Sequence, residues 1–419
     1  MTITTASYAT PSTIAKAIAQ GFWVQSVLIK TASQRYRGQF SENAITTPGT
    51  TTYVPLDNRF TVQRSNTVTL EAIVDRVVPL TVQNPYRTAV QMVTTDQKLL
   101  IRNLKEQTAV PMGRVIAAAV EQDLISQFEL YCFNSFDLTK TYNGSASGYL
   151  DTNAKMLQAA TFFREYSVPE DGKWYAAMNP TNLAQLFNGY QSEFLPITNE
   201  KALAMDIRAR GEIQSFKTFY SQVLYTHVGG TAGGDSNAAV NATVSSGSTV
   251  VLKNLSVGAT LLPGDRLIFT SSYPVNPVTR NDITSKNFTA VVAAAATADG
   301  SGIATVQIYV GPQGINATTT DPYRNLNRPL TANDGVQIIT NFAMQLFYHQ
   351  DGVLYAPIPQ IAFDLAASQV GTATDPNSGV QMRMTNMGIP GTNVNSFYLD
   401  ALIAMGIVPE LCILMMTTA

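Results

Sequence analysis

The segment at residues 53–80, YVPLDNRFTVQRSNTVTLEAIVDRVVPL, constrains the fold more than any other part of the chain. Apolar and polar residues alternate along both of its halves, which predicts two long antiparallel strands. A three-residue loop at 64–66, with Asn66 in the left-handed region that asparagine tolerates, places the apolar residues on one face. In this register Val62 lies opposite Val68, Phe60 opposite Leu70, and Arg59 opposite Glu71.

The apolar face of this ribbon has no cover in the neighbouring sequence. A lone two-stranded ribbon is marginal in water, because each cross-strand pair contributes only about 0.2–1 kcal/mol. The ribbon must therefore lie on other apolar surface. Two interpretations are open: the hairpin packs on the core of its own domain, or it packs on another molecule.

The composition excludes strongly electrostatic functions. Only 13% of the 419 residues are charged, with 27 basic against 29 acidic side chains, so we expect weak contact with DNA and none with a membrane. The first stretch, MTITTASYATPSTIAKAIAQ, lacks a basic region followed by an apolar run, which predicts a protein made and used inside a cell. This length allows two or three domains.

The apolar segment 397–416 is predicted to form two buried strands. It contains Asp400, Gly406, Pro409 and Glu410, which a membrane-spanning helix would tolerate poorly. The two cysteines, Cys132 and Cys412, are flanked by large apolar residues, which favours inert buried thiols over a disulfide or a metal site.

Helical periodicity predicts three helices in the first third of the chain. They cover residues 12–30, residues 95–107, and a long segment that begins near Pro111. The long helix carries an apolar stripe formed by Ile116, Val120, Leu124, Phe128 and Tyr131. Glu121 and Asp123 are expected on its polar face.

The remaining chain predicts an α/β layer interrupted by a β-rich region. Residues 157–227 follow the order helix, strand, helix, strand, whereas 228–340 hold short strands between loops rich in Gly, Ser, Thr and Asn. The expected strands of this region are STVVLKNLSV, DRLIFTS, NFTAVVAA and IATVQIYV. Residues 345–359 then predict a hairpin with a two-residue turn at Asp351 and Gly352.

No pattern in the sequence predicts a catalytic, metal or cofactor site. His227 and His349 are interpreted as strand residues, and no H-x-x-x-H or C-x-x-C motif occurs. The glycine cluster GGTAGG lacks the ending of a phosphate loop, and Glu170 and Asp171 precede a glycine in a turn. We therefore expect a protein that is not an enzyme.

Four segments, taken in order, carry a resemblance to a known family. They are FFREYSVPEDGKWYAAMNPTNLAQLF at 162–187, RARGEIQSFKTFYSQVLYTH at 208–227, LLPGDRLIF at 261–269 and DGVLYAPIP at 351–359. Together with the hairpin, the long helix and the apolar closing segment, this order resembles the major capsid proteins of tailed phages with the Hong Kong 97-type fold. Within this family the chain resembles the coat proteins of the short-tailed Salmonella phage type, which carry an extra β domain inserted into the apical domain.

The resemblance implies an α+β capsid fold with six regions. They are an N-terminal arm (1–35), an extended β-hairpin loop (36–80), a peripheral domain with the spine helix (81–156), a first apical part (157–227), an inserted β domain (228–340) and a closing segment (341–419).

The resemblance also implies a structural role in a virion capsid that is assembled in the host cytoplasm. The expected partners are copies of this chain in hexamers and pentamers, scaffolding and portal proteins, a decoration protein, and double-stranded DNA contacted weakly. The chain has no lysine between Lys30 and Lys98, which excludes the lysine–asparagine crosslink that some family members form through this loop. The residues expected at the interface between subunits are Arg59, Phe60, Val62, Arg64, Val68, Leu70, Glu71, Asp75 and Arg76.

Two alternatives remain open. One is a carbohydrate-binding or carbohydrate-active protein in which residues 228–340 are the binding module. The other is a phage tail or neck component of similar β content.

Overall fold

The computed structural model describes residues 11–40, 49–60, 64, 70, 74–93, 108–138, 150, 153–191, 212–359, 368–375, 378–388 and 394–418. These residues form a mixed fold with few helices and many strands. The chain divides into two compact units. The first comprises Met1–Tyr53, Pro79–Leu124 and Leu354–Gly406, and the second comprises Val54–Val78, Ile125–Val353 and Ile407–Ala419.

Four α-helices lie in the described part of the chain: α1 (Pro11–Gln25), α2 (Val110–Tyr131), α3 (Asn153–Glu165) and α4 (Pro180–Gln191). Short 3-10 helices cover Arg37–Gln39, Thr231–Gly234, Gln350–Gly352 and Pro409–Leu411. The predicted N-terminal and long helices are confirmed, although α1 ends at Gln25 rather than at residue 30. The helix predicted at 95–107 lies outside the described residues.

The apolar stripe of α2 is buried, except at its last member. Ile116, Val120, Leu124 and Phe128 are buried, whereas Tyr131 is partly exposed and packs edge-on against Tyr309 at 5.2 Å between ring centroids. The expected position of Glu121 on a polar face is wrong. Its side chain is buried and accepts hydrogen bonds from the backbone N–H groups of Val27 and Leu28, just beyond the end of α1. Burial raises the pKa of Glu121 to about 7, although these hydrogen bonds act in the opposite direction.

Two glycines allow α1 and α2 to cross closely within the first unit. A Cβ atom on Gly21 would meet the backbone of Val110, and one on Gly113 would meet the carbonyl oxygen of Ile18. Since backbone atoms cannot give way as a flexible side chain can, larger residues at these positions would push the helices apart.

The strands before residue 229 are β1 (Thr51–Pro55), β2 (Val77–Val82), β3 (Tyr86–Val93), β4 (Ser135–Asp137), β5 (Trp174–Met178), β6 (Glu212–Ile213), β7 (Phe216–Tyr220) and β8 (Thr226–Val228). Those within 228–340 are β9 (Ala239–Val240), β10 (Ser246–Gly247), β11 (Thr249–Lys253), β12 (Thr260–Leu261), β13 (Arg266–Phe269), β14 (Phe288–Val292), β15 (Ala296–Thr297), β16 (Ala304–Tyr309), β17 (Ile315–Asn316) and β18 (Val336–Ile339). The last are β19 (Asn341–His349), β20 (Val353–Ile358), β21 (Ser368–Thr374), β22 (Gln381–Gly388), β23 (Val394–Ile407) and β24 (Cys412–Thr417).

The long strand β23 organises the sheet of the first unit. It pairs antiparallel with β22 on one side, and Tyr398 lies between Thr385 of β22 and Ala89 of β3. It also pairs with β2 and β20. The prediction of two buried strands in 397–416 is confirmed by β23 and β24, and no helix among the described residues is long and apolar enough to cross a membrane.

The second unit contains a mixed sheet with the order β4-β24-β19-β5-β7-β6. β5 and β7 run parallel, as the predicted helix–strand–helix–strand order requires, and β19 is antiparallel to both β24 and β5. Helix α3 packs Phe163 edge-on against Trp174 at 5.2 Å between ring centroids. Phe216 packs in the same way against Phe347 at 5.0 Å, so the core is largely aromatic.

Residues 228–340 form sheets and a hydrophobic core among themselves. A six-stranded sheet runs β18-β13-β14-β16-β11-β9, and one buried cluster between Ala232 and Ile338 contains apolar residues from this region alone. All four strands predicted here are present, as β11, β13, β14 and β16. The strict alternation of buried and exposed residues along most of β16 shows one face on this core and one face in solvent.

The prediction of a two-residue hairpin turn at Asp351 and Gly352 is wrong. Residues Gln350–Gly352 form a 3-10 helix in which His349 Nδ1 accepts a hydrogen bond from the Asp351 N–H at 3.2 Å. The flanking strands are not paired with each other, because both edges of β19 are occupied by β24 and β5, and β20 pairs with β23 instead.

Candidate functional site

The segment predicted as a long hairpin is paired at its base. β1 ends at Pro55 and β2 begins at Val77, and the described residues 56–60 and 74–76 are not in strands. The Leu56 N–H donates to the Arg76 carbonyl at 2.8 Å, so these residues lie opposite each other, two positions from the predicted register. A shift of two residues keeps each side chain on its predicted face.

The structure places the predicted interface residues in two different environments. Phe60 is 63% exposed and Leu70 is 93% exposed, and the side chains of Arg64 and Asp75 are also exposed. Arg76, in contrast, is only 5% exposed. Arg59 is partly buried, with a side chain that is 9% exposed. Val62, Val68 and Glu71 lie outside the described part of the chain.

Arg59 and Arg76 meet at the carboxylate of Glu410. Arg59 Nη2 lies 2.7 Å from Glu410 Oε1, and Arg76 Nη2 donates to the same oxygen. No spacing in the sequence links these residues, because Glu410 is 351 positions from Arg59. The one available signal was a carboxylate within the apolar closing segment, since a charge in such a place needs a cation beside it.

Arg76 also contacts the region 228–340. Its guanidinium carbon lies 5.6 Å from the centre of the Tyr323 ring, and the Tyr323 hydroxyl donates to the Val74 carbonyl at 3.3 Å. Burial, assisted by the charge of Arg59, lowers the pKa of Arg76 to about 10. Within the described residues Nε and Nη1 of Arg76 are buried without a hydrogen-bond partner. Arg76 is therefore a buried cation that is only partly paired.

A second polar cluster surrounds His227, which sequence reasoning treated as an ordinary strand residue. His227 Nδ1 contacts Glu129 Oε1, and His227 Nε2 lies 2.8 Å from Asp265 Oδ1. The Tyr225 hydroxyl donates to the second oxygen of Glu129. All three charged side chains are buried or nearly so, and they come from α2, β8 and the turn before β13.

The two carboxylates keep the imidazole protonated. Burial by itself would lower the pKa of His227, but its hydrogen bonds to Asp265 and Glu129 outweigh burial and raise the pKa to about 9. A doubly protonated ring donates from both nitrogens, so it links α2 to the turn before β13. No group of acidic, histidine or cysteine residues in the described chain is arranged to hold a metal ion. The cluster is a structural ion-pair network.

Arg266 joins β13 to the C-terminal end of α2. Its guanidinium is fully buried and donates to the carbonyl oxygens of Glu129 and Cys132, each at 2.5 Å. A cation at this end of a helix satisfies free carbonyl groups and complements the helix dipole. The prediction of buried thiols is confirmed: Cys132 and Cys412 are free and buried, and burial raises the pKa of Cys132 to about 12.

The remaining acidic candidates have structural roles. Glu170 accepts hydrogen bonds from Arg164, at 2.7 Å for the shorter one, on the protein surface. Asp171 accepts a hydrogen bond from the His349 ring at 2.9 Å and pairs with Lys173 at 3.0 Å. These contacts agree with the surface roles expected from the sequence.

Comparison with known proteins finds similarity only among solved structures. No family model and no curated protein matches the sequence. A structure from Mycobacterium phage Che8 is similar with 10% identity and a TM-score of 0.42, covering 93% of this chain and 91% of that one. The capsid structure of cyanophage P-SCSP1u is similar with 12% identity and a TM-score of 0.41, covering 89% of this chain and 84% of that one. A virus-like particle from Pyrococcus furiosus covers 96% and 97% of the two chains with 9% identity and a TM-score of 0.35.

Two of the similar structures, from cyanophage P-SCSP1u and Ralstonia phage GP4, are described as capsids.

Proposed function

We propose that the chain is the structural subunit of an icosahedral tailed-phage capsid, with the Hong Kong 97-type fold and with residues 228–340 as its inserted β domain. Copies assemble without covalent links into hexamers and pentamers that enclose double-stranded DNA. The subunit acts through its surfaces and catalyses no reaction. Its location is the virion, after assembly in the host cytoplasm with scaffolding and portal proteins.

The observation that carries this proposal is the contrast within residues 54–78, here called the interface loop. Its base is fixed by the partly buried contacts of Arg59 and Arg76 with Glu410, whereas Phe60 and Leu70 are exposed. An anchored segment that presents large apolar side chains to solvent is typical of a protein–protein contact surface. Full burial of each such side chain stabilises a complex by about 1.5–3 kcal/mol.

A neighbouring copy of the same chain is the partner that this surface requires. When one patch of a subunit packs on a different patch of the next copy, the contact repeats and closes into a ring if the rotation allows it. Rings of this kind are the hexamers and pentamers of a shell. An obligate assembly buries on the order of 2,000 Å² or more, so other surfaces must add to the interface loop.

Electron microscopy of the overexpressed protein tests the proposal directly. We expect closed shells, tubes or polyheads from the wild-type chain. A monodisperse monomer that binds glycans would instead support the carbohydrate-binding alternative, and rings or short tubes of a single diameter would support a tail or neck component.

Point variants locate the contact. Phe60→Asp and Leu70→Asp are expected to give folded, soluble subunits that no longer assemble. Val257→Asp is the matched control, because Val257 is likewise an exposed apolar side chain, at 70%, but is not part of the interface loop. Assembly of Leu70→Asp at the wild-type rate would contradict the assignment of this surface.

A further inference from the structure

The residues at the base of the interface loop are held by both backbone and side-chain contacts. On the backbone, the Leu56 N–H donates to the Arg76 carbonyl at 2.8 Å, which joins the two sides of the loop just beyond β1 and just before β2. On the side chains, Arg59 and Arg76 share Glu410, and the Tyr323 hydroxyl donates to the Val74 carbonyl. Because these attachments lie on both sides of the loop, they restrict the angle at which the loop leaves the subunit.

Tyr323 is itself held firmly by the region 228–340. Its side chain is buried, and its N–H donates to Asp321 Oδ1 at 2.7 Å. The other oxygen of Asp321 accepts from Asn316 Nδ2 at 2.6 Å, and the Asp321 carbonyl accepts from Arg280. The Tyr323 ring is thus part of a cross-linked turn and offers Arg76 a fixed surface.

The Tyr323 ring also affects the balance of charge at the base of the loop. Two arginines share one carboxylate, and Glu410 cannot satisfy both guanidinium groups. The face of an aromatic ring attracts a cation, and this attraction is larger where water is excluded. The Tyr323 ring therefore stabilises the excess positive charge that Arg76 keeps in its buried position.

We infer that the region 228–340 sets the direction of the interface loop, with Tyr323 and Arg76 as the positioning residues and Glu410 as their anchor. This inference rests on the proposed function and assigns the region a role in assembly geometry. A loop with a loosened base would still present Phe60 and Leu70, but over a range of angles. Assembly would then continue with errors in curvature.

Three variants loosen the base to different degrees. Tyr323→Phe removes only the hydrogen bond to Val74, Glu410→Gln removes the shared negative charge, and Arg76→Gln removes the buried cation. Tyr273→Phe is the control for the first, because Tyr273 is a partly buried tyrosine of the same region whose backbone N–H donates to Asn327, a contact that the substitution keeps. Glu170→Gln is the control for the second, since it removes an exposed carboxylate that also binds an arginine.

Hydrogen exchange at the Leu56 amide measures the opening of the base in the unassembled subunit. A lost neutral hydrogen bond changes an equilibrium by about threefold to tenfold, and one to a charged group by more than tenfold. We expect faster Leu56 exchange by about threefold in Tyr323→Phe and by at least tenfold in Glu410→Gln and Arg76→Gln. Circular dichroism should show native secondary structure in all of them.

Electron microscopy of the same proteins measures the effect on assembly. We expect mixed particle diameters, open sheets or spirals from Glu410→Gln and Arg76→Gln, and wild-type particles from both controls. Normal particles from these two variants, despite rapid Leu56 exchange, would overturn the inference while leaving the proposed function intact. A wild-type chain that forms no particles would refute the proposed function itself.

Discussion

The imidazole of His227 lies between two buried carboxylates and should make folding stability depend on pH. Its pKa is raised from 6.5 to about 9 in the folded protein. A group whose pKa is raised on folding contributes stability that is complete below the unfolded value and is lost as the pH rises through the folded value. The contribution of His227 should therefore decline between about pH 6.5 and pH 9.

The pKa shift of His227 sets how much folding stability depends on pH. Each unit of pKa shift corresponds to about 1.4 kcal/mol, so a rise from 6.5 to about 9 corresponds to about 3 kcal/mol. Solvent screening is small here, because the side chain of His227 is only 6% exposed. The loss should appear in the second unit, to which His227, Glu129 and Asp265 belong.

Lys286, another buried group, titrates in the same pH range, but its effect on folding stability is opposite to that of His227. Burial lowers the pKa of Lys286 from 10.5 to about 7, so the unfolded chain binds more protons than the folded one between these values, and stability rises with pH. The wild-type curve alone would therefore understate the effect of His227. The difference between wild type and a His227 variant removes the contribution of Lys286.

The assay is urea unfolding of wild type and His227→Gln, in parallel, from pH 6 to pH 9. At pH 6 the variant should be less stable by about 3–5 kcal/mol, because it leaves two buried carboxylates without their cation. The difference in unfolding free energy between wild type and His227→Gln should be smaller by about 3 kcal/mol at pH 9, where the wild-type imidazole has begun to lose its proton. A gap that stays constant across this range would refute the assignment of His227 as a buried imidazolium.

Three further predictions concern other parts of the molecule. The stability of wild type relative to Lys286→Met, measured by urea unfolding, should increase between about pH 7 and pH 10, since Lys286 is a buried amine whose pKa is lowered. Gly113→Ala should lower the free energy of unfolding by about 1–3 kcal/mol, because its Cβ would overlap the Ile18 carbonyl, whereas Gly300→Ala, which meets no atom, should behave as wild type in thermal unfolding. The isolated subunit should bind duplex DNA weakly in fluorescence anisotropy at physiological salt, because its 27 basic and 29 acidic residues nearly cancel; tight binding would contradict this.

Local patterns predicted the elements, and distant contacts decided how they were joined. The stripe from Ile116 to Phe128 predicted a buried helix face, because its spacing depends only on helical geometry. The turn at Asp351 and Gly352 has a favourable hairpin composition, yet β19 pairs with β24 and β5, a choice set by segments far away in sequence. Turn chemistry cannot show which edges of a strand are already occupied.

The polar clusters were beyond prediction for the same reason. His227 carries no local sign of its partners, since Glu129 precedes it by 98 positions and Asp265 follows it by 38. Arg76 was predicted at an interface from its place on the hairpin, and its buried contact with Glu410 depends on how the closing segment returns. Alternation in the sequence placed Phe60 and Leu70 on one apolar face, and both side chains are exposed; their contact with another subunit stays a prediction.

The two ends of the region 228–340 meet at one point of the β8–β19 ladder, where Val228 is the register partner of Asn341. The chain leaves the ladder and returns to it almost at the same place, and between these points it builds a separate core. A region whose two ends are adjacent in this way can be replaced without moving the strands on either side of it. Related genes could exchange it for a shorter or unrelated module with little disturbance to the strands at the junction, so size and sequence in this stretch should vary more freely than in the strands that flank it.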